Sequence, residues 1–428
     1  MLATGVGMLV VTANWGIGDG TVANGAAPAR AQAFAAALRR AAARSGCRGD
    51  GRYRPPERVD VVFAGDTFDW LVSTRWADRD RPWHAGRRSA AVRRDIARAS
   101  LAHAWATLYP VLALVRRGLS LPAADRRGRP VWTRSVTVPV GVVLLTGDRD
   151  ARLETVGAGR LAHRLGVRIG SGAAWGQIVI HHGHEAGPPD HRRGSAAADT
   201  ATPTLTESVL VDLLVPFSIE RAAAALPGLL RQLAAASSPL DMPHMIAAAA
   251  RHGDTDMPRD AGTALVDGWR RAVERWHRAA RRSVTEHGAP FDPFDALADW
   301  LSATDAPPGR SPPPLLAAIT ALPDPRVFAG AAPVAILGHA PGAATVGGGC
   351  VGLGPPPPSV AAPHGAATTV GGPGSAWLVP AVELVDPVRA VVVTDPAAIH
   401  SLTPLPGFAE PVPTVASVPA AWRALDAA

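Results

Sequence analysis

Val61-Val62-Phe63-Ala64-Gly65-Asp66-Thr67-Phe68-Asp69-Trp70 is an apolar run that ends in Gly-Asp, with a second carboxylate three residues on. The run has the length and composition of a buried strand, and the glycine permits a sharp turn at its end. Ligands of α/β proteins bind at that edge of a sheet. Two carboxylates there suit a hard or borderline cation. The alternative is a turn in which Asp66 or Asp69 merely caps the next helix. The stretch alone leaves the two readings level, and its neighbours must decide.

The same punctuation recurs along the chain. Met8 to Thr12 reads as a strand running into Asn14-Trp15-Gly16-Ile17-Gly18-Asp19-Gly20. Val136 to Leu145 runs into Gly147-Asp148-Arg149-Asp150, Gln177 to Ile180 into His181-His182-Gly183-His184, and Val334 to Leu337 into Gly338-His339-Ala340-Pro341. Strands that each feed a polar loop build a site along one sheet edge. Helical spacing fills Ala26 to Arg44, Arg87 to Arg117 with an interruption at Pro110, and Leu153 to Leu165. From Thr204 to about Ala303 the pattern is almost wholly helical, as in Glu207 to Val215, Ile219 to Ala235 and Ala264 to His287. Gly342 to Gly374 reads as an extended Gly/Pro loop, and Trp377 to Val385 and Val388 to Val393 as closing strands. The expected class is α/β. Its core is carried by residues 1–198 and 326–395, with a helical insertion or cap at 199–325 and a Pro-rich tail at 396–428.

At 428 residues and 47% hydrophobic composition, a sizeable core is expected. The net charge of +7 comes entirely from arginine, since the chain has no lysine. The arginines read as scattered, with no dense basic run among aromatics, so no nucleic-acid partner is expected. A phosphate-containing small molecule is compatible with the charge. Cys47 and Cys350 exclude a disulfide framework or a thiolate zinc site and fit a reducing compartment. Met1 to Val11 lacks the basic start of a signal peptide, and no apolar stretch approaches the ~20 residues of a bilayer span. A soluble, cytoplasmic protein is expected.

In order and spacing, the loop motifs resemble those of the calcineurin-like metallophosphoesterases, DxH, GDxxD, GNH[DE], a His before Gly, and GHxH. The likeness is nearest to the bacterial branch that includes UDP-2,3-diacylglucosamine diphosphatases. It covers residues 8–185 and 333–393, and Gly374-Ser375-Ala376-Trp377 looks like the segment that often follows the last motif there. The resemblance implies a four-layer α/β/β/α sandwich and hydrolysis of a phosphoester or pyrophosphate by water activated between two metals.

Carried over residue by residue, the match is uneven. Asp66 stands at the bridging position, and Asp148, His182 and His339 at the other ligand positions of one metal. Two imidazoles and two carboxylates suit zinc, iron or manganese. The other metal has fared badly: Asn14, Gly16 and Pro341 stand where Asp, His and His are needed, and the spacing of Asp19 is wrong for a substitute. Arg149 replaces the catalytic His. It cannot be a general acid, but it can clamp a phosphate as a fixed cation.

The implied centre holds one metal at most, or none if Arg149 is consumed in a salt bridge with Asp148 or Asp150. Asp69, Asp150, His181 and His184 are read as supporting residues or ordinary surface and capping groups. Trp15 and Trp70 are read as packing. An attenuated hydrolase and a catalytically dead binding or scaffolding module both remain open. In either reading the helical insertion is a lid, a protein-partner surface or simply packed helices.

Overall fold

The computed structural model describes residues 7–22, 28–47, 51–77, 81–84, 87–150, 162–163, 166–175, 178–184, 203–234, 236, 239–252, 259–287, 292–305, 312–319, 334–337, 345–346, 350–352, 369–370, 375–381, 388–394 and 403–404. In chain order its strands are β1 (Gly7–Thr12), β2 (Arg58–Ala64), β3 (Leu119–Ala124), β4 (Pro130–Val138), β5 (Val140–Leu145), β6 (Arg168–Gly170), β7 (Gly172–Trp175) and β8 (Ile178–His181). They continue with β9 (Val334–Leu337), β10 (Thr345–Val346), β11 (Cys350–Gly352), β12 (Thr369–Val370), β13 (Ser375–Ala381), β14 (Val388–Thr394) and β15 (Thr403–Pro404).

Two sheets form the centre. One has the order β12-β13-β14-β1-β2-β5-β6 and the other β10-β11-β9-β8-β7-β15. β1, β2, β5 and β6 are mutually parallel, because the helices Pro28–Ser45 and Arg87–Leu112 supply the first two crossovers. A strand covered on both faces reads as an unbroken apolar run, as β1, β2 and β5 do. Their alternate residues divide between two cores. Met8, Val10, Val61, Phe63 and Leu144 pack toward the two helices. Leu9, Val11, Val62, Ala64 and Leu145 meet Trp175, Ile180 and Ile336 of the second sheet. The layering is therefore helices, sheet, sheet.

Several sequence expectations are corrected. Val136 to Leu145 is not one strand: Pro139 separates β4, which closes a two-stranded hairpin with β3, from β5 in the main sheet. The helix through Pro110 is not interrupted there. Proline sits in its last turn, where few hydrogen bonds remain to be lost, and the helix ends at Leu112. Ile219 to Ala235 divides into Arg221–Ala224 and Pro227–Ala234, since Pro227 starts a new helix. The Gly342 to Gly374 stretch contains the short strands β10, β11 and β12.

A third core holds the helical stretch together. Phe217, Trp269, Trp276, Trp300 and Leu301 pack with Trp70, Leu71, Trp76 and Trp83 from the segment after β2. The indoles of Trp269, Trp276 and Trp300 donate to Leu301 O, Ser208 Oγ and Leu240 O at 2.7, 2.9 and 2.9 Å. The first helix of this stretch starts with a capping box between Thr204 and Glu207. Arg81 bonds to Asp212 and, at 2.6 Å, to Trp76 O, pinning the segment after β2 to the helices. No helix among the described residues is long and apolar enough to cross a membrane.

Candidate metal centre

The loops after β1, β2, β5 and β8 converge beyond the sheet edge. Gly65 and Asp66 follow β2 with φ of +88° and +50°, and Asn14 follows β1 with φ of +56°. Asp and Asn are the non-glycine residues that best tolerate this conformation. The first loop lies along the second through main-chain bonds: Asn14 N to Gly65 O, 3.2 Å; Gly16 N to Asp66 O, 2.9 Å; Asp69 N to Ile17 O, 2.9 Å. Two glycines mark how closely the others approach. A Cβ at Gly65 would lie 2.2 Å from His182 Nδ1, and one at Gly147 would lie 2.1 Å from Asp66 Oδ1 and 2.6 Å from its backbone nitrogen.

His182, fully buried, is the hub. Its Nδ1 lies 2.9 Å from Ala64 O, a partner that can only accept. Nδ1 therefore carries a proton, and Nε2 is directed at Asp148 Oδ1 (3.0 Å) and Asp66 Oδ2 (3.4 Å). Burial opposes a charged imidazole here, but the charge of Asp66 and the hydrogen bonds to Asp148 and Asp66 outweigh it. They hold the pKa of His182 well above the usual histidine range. Gly183, with φ of +106°, folds the chain so that His184 comes in beside it, the ring centroids 5.2 Å apart. Asp148, His182 and His184 offer ligand atoms that all lie within 4.8 Å of one another, so this buried group could hold a metal ion. Two polar atoms nearby, Thr67 Oγ1 and Arg149 Nε, are buried with no hydrogen-bond partner among the described residues.

Of the residues read from the sequence, the structure thus gathers Asp66, Asp148 and His182. It adds His184, read as a supporting or ordinary surface residue, to the potential ligands, and buries it. His339 and Pro341 lie outside the described residues; β9 ends at Leu337, opposite His181. His181 is half-buried at the end of β8. Asn14 and Gly16 stand in the first loop, where Gly16 contributes only main chain. Asp19 is held elsewhere, by Ser73 Oγ at 2.6 Å and Thr21 Oγ1 at 2.5 Å. Trp15 packs on Phe34 and Phe63, and Trp70 on Trp76.

Arg149 departs most from the sequence reading. Its guanidinium is drawn into the protein, and its charge is met by Asp69 (Nη1 to Oδ2, 3.2 Å) and Asp66 (Nε to Oδ2, 3.8 Å), not by a salt bridge with Asp148 or Asp150. Nη1 also donates to Ala234 O, and Nη2 to Ala236 O at 2.7 Å. These are carbonyls at the C-terminal end of helix Pro227–Ala234, which attracts a cation. Asp150 is unavailable to Arg149 because it accepts from the backbone amides of Gly147 and, at 3.0 Å, Thr67, tying the β5 loop to the β2 loop. Asp69 also accepts from Leu71 N (3.1 Å) and Val72 N (3.3 Å), which closes a local turn and is not the helix cap considered for it, since the next helical turn starts only at Thr74. Burial, opposed by Arg149 and reinforced by Asp66, raises the Asp69 carboxyl to about 6. Burial and then the charge of Asp66 raise Asp150 as well.

Compared with protein-family models, curated proteins and solved structures, the chain matches none.

Proposed function

We propose that this chain is a calcineurin-like metallophosphoesterase of four-layer sandwich design that retains one divalent-cation position and has lost the other. In this reading it hydrolyses a phosphoester or pyrophosphate bond in a phosphate-containing small molecule. The observation that carries it is the Asp148–His182–His184 group beside Asp66. The donors suit a borderline divalent ion such as manganese, zinc or iron. Ala64 O, accepting from Nδ1, orients His182 as main-chain carbonyls commonly orient metal-binding histidines. When bound, the ion would polarise a phosphoryl oxygen and lower the pKa of a water.

The chain's own part is to place these donors and to hold charge. Asp66 sits between His182 and the main-chain nitrogen of Arg149, which donates to its Oδ1 at 3.1 Å. Asp150 fixes the turn that carries Asp66. Arg149 contributes a permanent positive charge 3.8 Å from Asp66. No general acid stands at its position, so a substrate whose leaving group needs no proton is favoured over an alkyl phosphomonoester.

A second reading draws on the engagement of Arg149 with Asp69, Ala234 and Ala236. If that engagement persists with ligand bound, the fork cannot clamp a phosphate, the centre lacks its fixed cation for catalysis, and the protein is a catalytically dead module that holds a phosphate ligand through the metal group alone or scaffolds a partner. The helical stretch then serves as its cover or as a protein-partner surface. Metal analysis with manganese, zinc and iron, followed by turnover of aryl phosphomonoesters and phosphodiesters, separates the readings. One metal per chain with turnover that His182→Ala abolishes supports the hydrolase. One metal without turnover supports the binding module, and no metal under any condition removes both metal-based readings.

A further inference from the structure

We propose that the β3–β4 hairpin is a docking surface for a lipid bilayer bearing anionic phospholipid. The proposal is independent of the metal centre. The run Arg126-Arg127-Gly128-Arg129-Pro130-Val131-Trp132-Thr133-Arg134 corrects the impression that the arginines are merely scattered, since it is a dense basic stretch with an aromatic inside it. The fold displays this stretch instead of packing it. Among the described residues β4 pairs only with β3, and all but its last residue are exposed or half-buried.

The display has a specific geometry. Ser135 stands opposite Pro122 and Val131 opposite Ala123, so Trp132, Thr133 and Arg134 fall in a bulge without cross-strand partners. Pro122 has no N–H to offer the ladder at that point. Bulges re-aim side chains, and here Trp132 is left 76% exposed. The hairpin is anchored at both ends. Buried Leu119 and Leu121 join the helix-side core at its root, and Gly128 at the turn packs on Arg52 and accepts from Tyr53 N. The one acid of the turn, Asp125, is spent on Arg129 at 3.0 Å. Among the described residues Arg126, Arg127 and Arg134 have no ion-pair partner.

A groove of about 450 Å³ opens at the hairpin's root, bordered by Ser120. Its lining combines Ala35, Ala36 and Leu114 with Arg39, Arg117 and Tyr109. Arginine beside an exposed indole is the composition of an interfacial anchor: the guanidinium meets lipid phosphate and the indole settles at headgroup depth. A polynucleotide track would instead need successive aromatics for successive bases. Trp132 is the one strongly exposed aromatic among the described residues.

The test uses the full chain and flotation with vesicles of phosphatidylcholine, with and without phosphatidylglycerol. Selective binding to the anionic vesicles, weakening with added salt, is expected. Each arginine near an anionic surface is worth roughly fivefold in partitioning, so Arg126→Ser with Arg127→Ser should reduce it roughly 25-fold. Trp132→Ser should cost roughly tenfold, the value of burying about a quarter of an indole surface. These positions are exposed, and unchanged circular dichroism and melting would confirm intact folding. Equal binding to both vesicle types, no binding to either, or variants that bind as wild type would overturn the proposal. So would displacement from the vesicles by a single-stranded oligonucleotide, which would assign the surface to nucleic acid.

Discussion

Replacing Arg149 with methionine keeps much of the side chain's volume and removes its donors. In the folded protein those donors serve Asp69, Ala234 O and Ala236 O, all in a setting where the Arg149 side chain is 8% exposed. Asp69 is not left charged by the change. Its carboxyl already stands at about 6, and without Arg149 it rises further and takes up a proton at neutral pH. The remaining loss is one charge-assisted bond and the partners of two carbonyls, each group worth about 1–3 kcal/mol when stranded. The total expected is about 3–5 kcal/mol, the range for breaking a buried pair on one side. Because two of the bonds reach the helical stretch, part of the loss should be local. Amide exchange over Leu229–Ala236 should rise more than exchange in β1, β2 or β5. Arg149→Lys retains a cation for Asp69 but lacks the fork that spans both carbonyls. It should recover stability only in part and leave exchange around Ala236 elevated. Denaturant unfolding and hydrogen exchange measure the two effects. A loss below about 1 kcal/mol with unchanged exchange in the helical stretch would refute the claim that Arg149 joins the centre to those helices.

Gly147→Ala places a methyl against Asp66 Oδ1 and, at 2.6 Å, against its backbone nitrogen, which cannot swing away. We expect a destabilisation of about 1–3 kcal/mol and metal affinity lowered at least tenfold in calorimetric titration; an unchanged titration would show that Asp66 does not shape the site. His182→Ala should abolish stoichiometric manganese or zinc binding, measured by elemental analysis after gel filtration, whereas Asp19→Ala should leave it intact. Without metal, stability should decline with rising pH. Asp69 has a folded pKa above its ordinary 3.8, so its stabilisation is full below about 4 and is lost as pH rises through about 6. His182 and Asp150, both raised, act in the same direction at higher pH. Because bound metal needs deprotonated ligands, added zinc should raise the melting temperature more at pH 8 than at pH 5.5, and a larger shift at the lower pH would contradict these ligands.

Much of the central sheet was legible because a strand covered on both faces must be apolar throughout and must end where its loop meets water. β1 and β2 show this in their residues, with every position but Arg58 buried, and the loops that begin at Asn14, Gly65, Gly147 and His182 are legible in the same way, as polar residues following an apolar run. The short strands β6, β7 and β10 to β12 carry too few residues for a pattern to emerge. Pro139 hid a boundary inside what reads as one apolar run.

At the centre, the resemblance to a two-metal family implied a gap, since an amide at Asn14 and no side chain at Gly16 offer little to a second ion. It also marked Asp66, Asp148 and His182 as a set. What the tertiary structure decided is where the remaining valences go. Gly183 turns His184 toward the group, a matter of one backbone angle. Arg149 faces inward because its partners include two alanine carbonyls more than eighty residues away. A main-chain carbonyl has no side-chain signature, and only the packing of helix Pro227–Ala234 brings those oxygens within reach. The sequence alone therefore determined which charges and imidazoles the centre contains, while the tertiary structure determined which of them are already spent on one another.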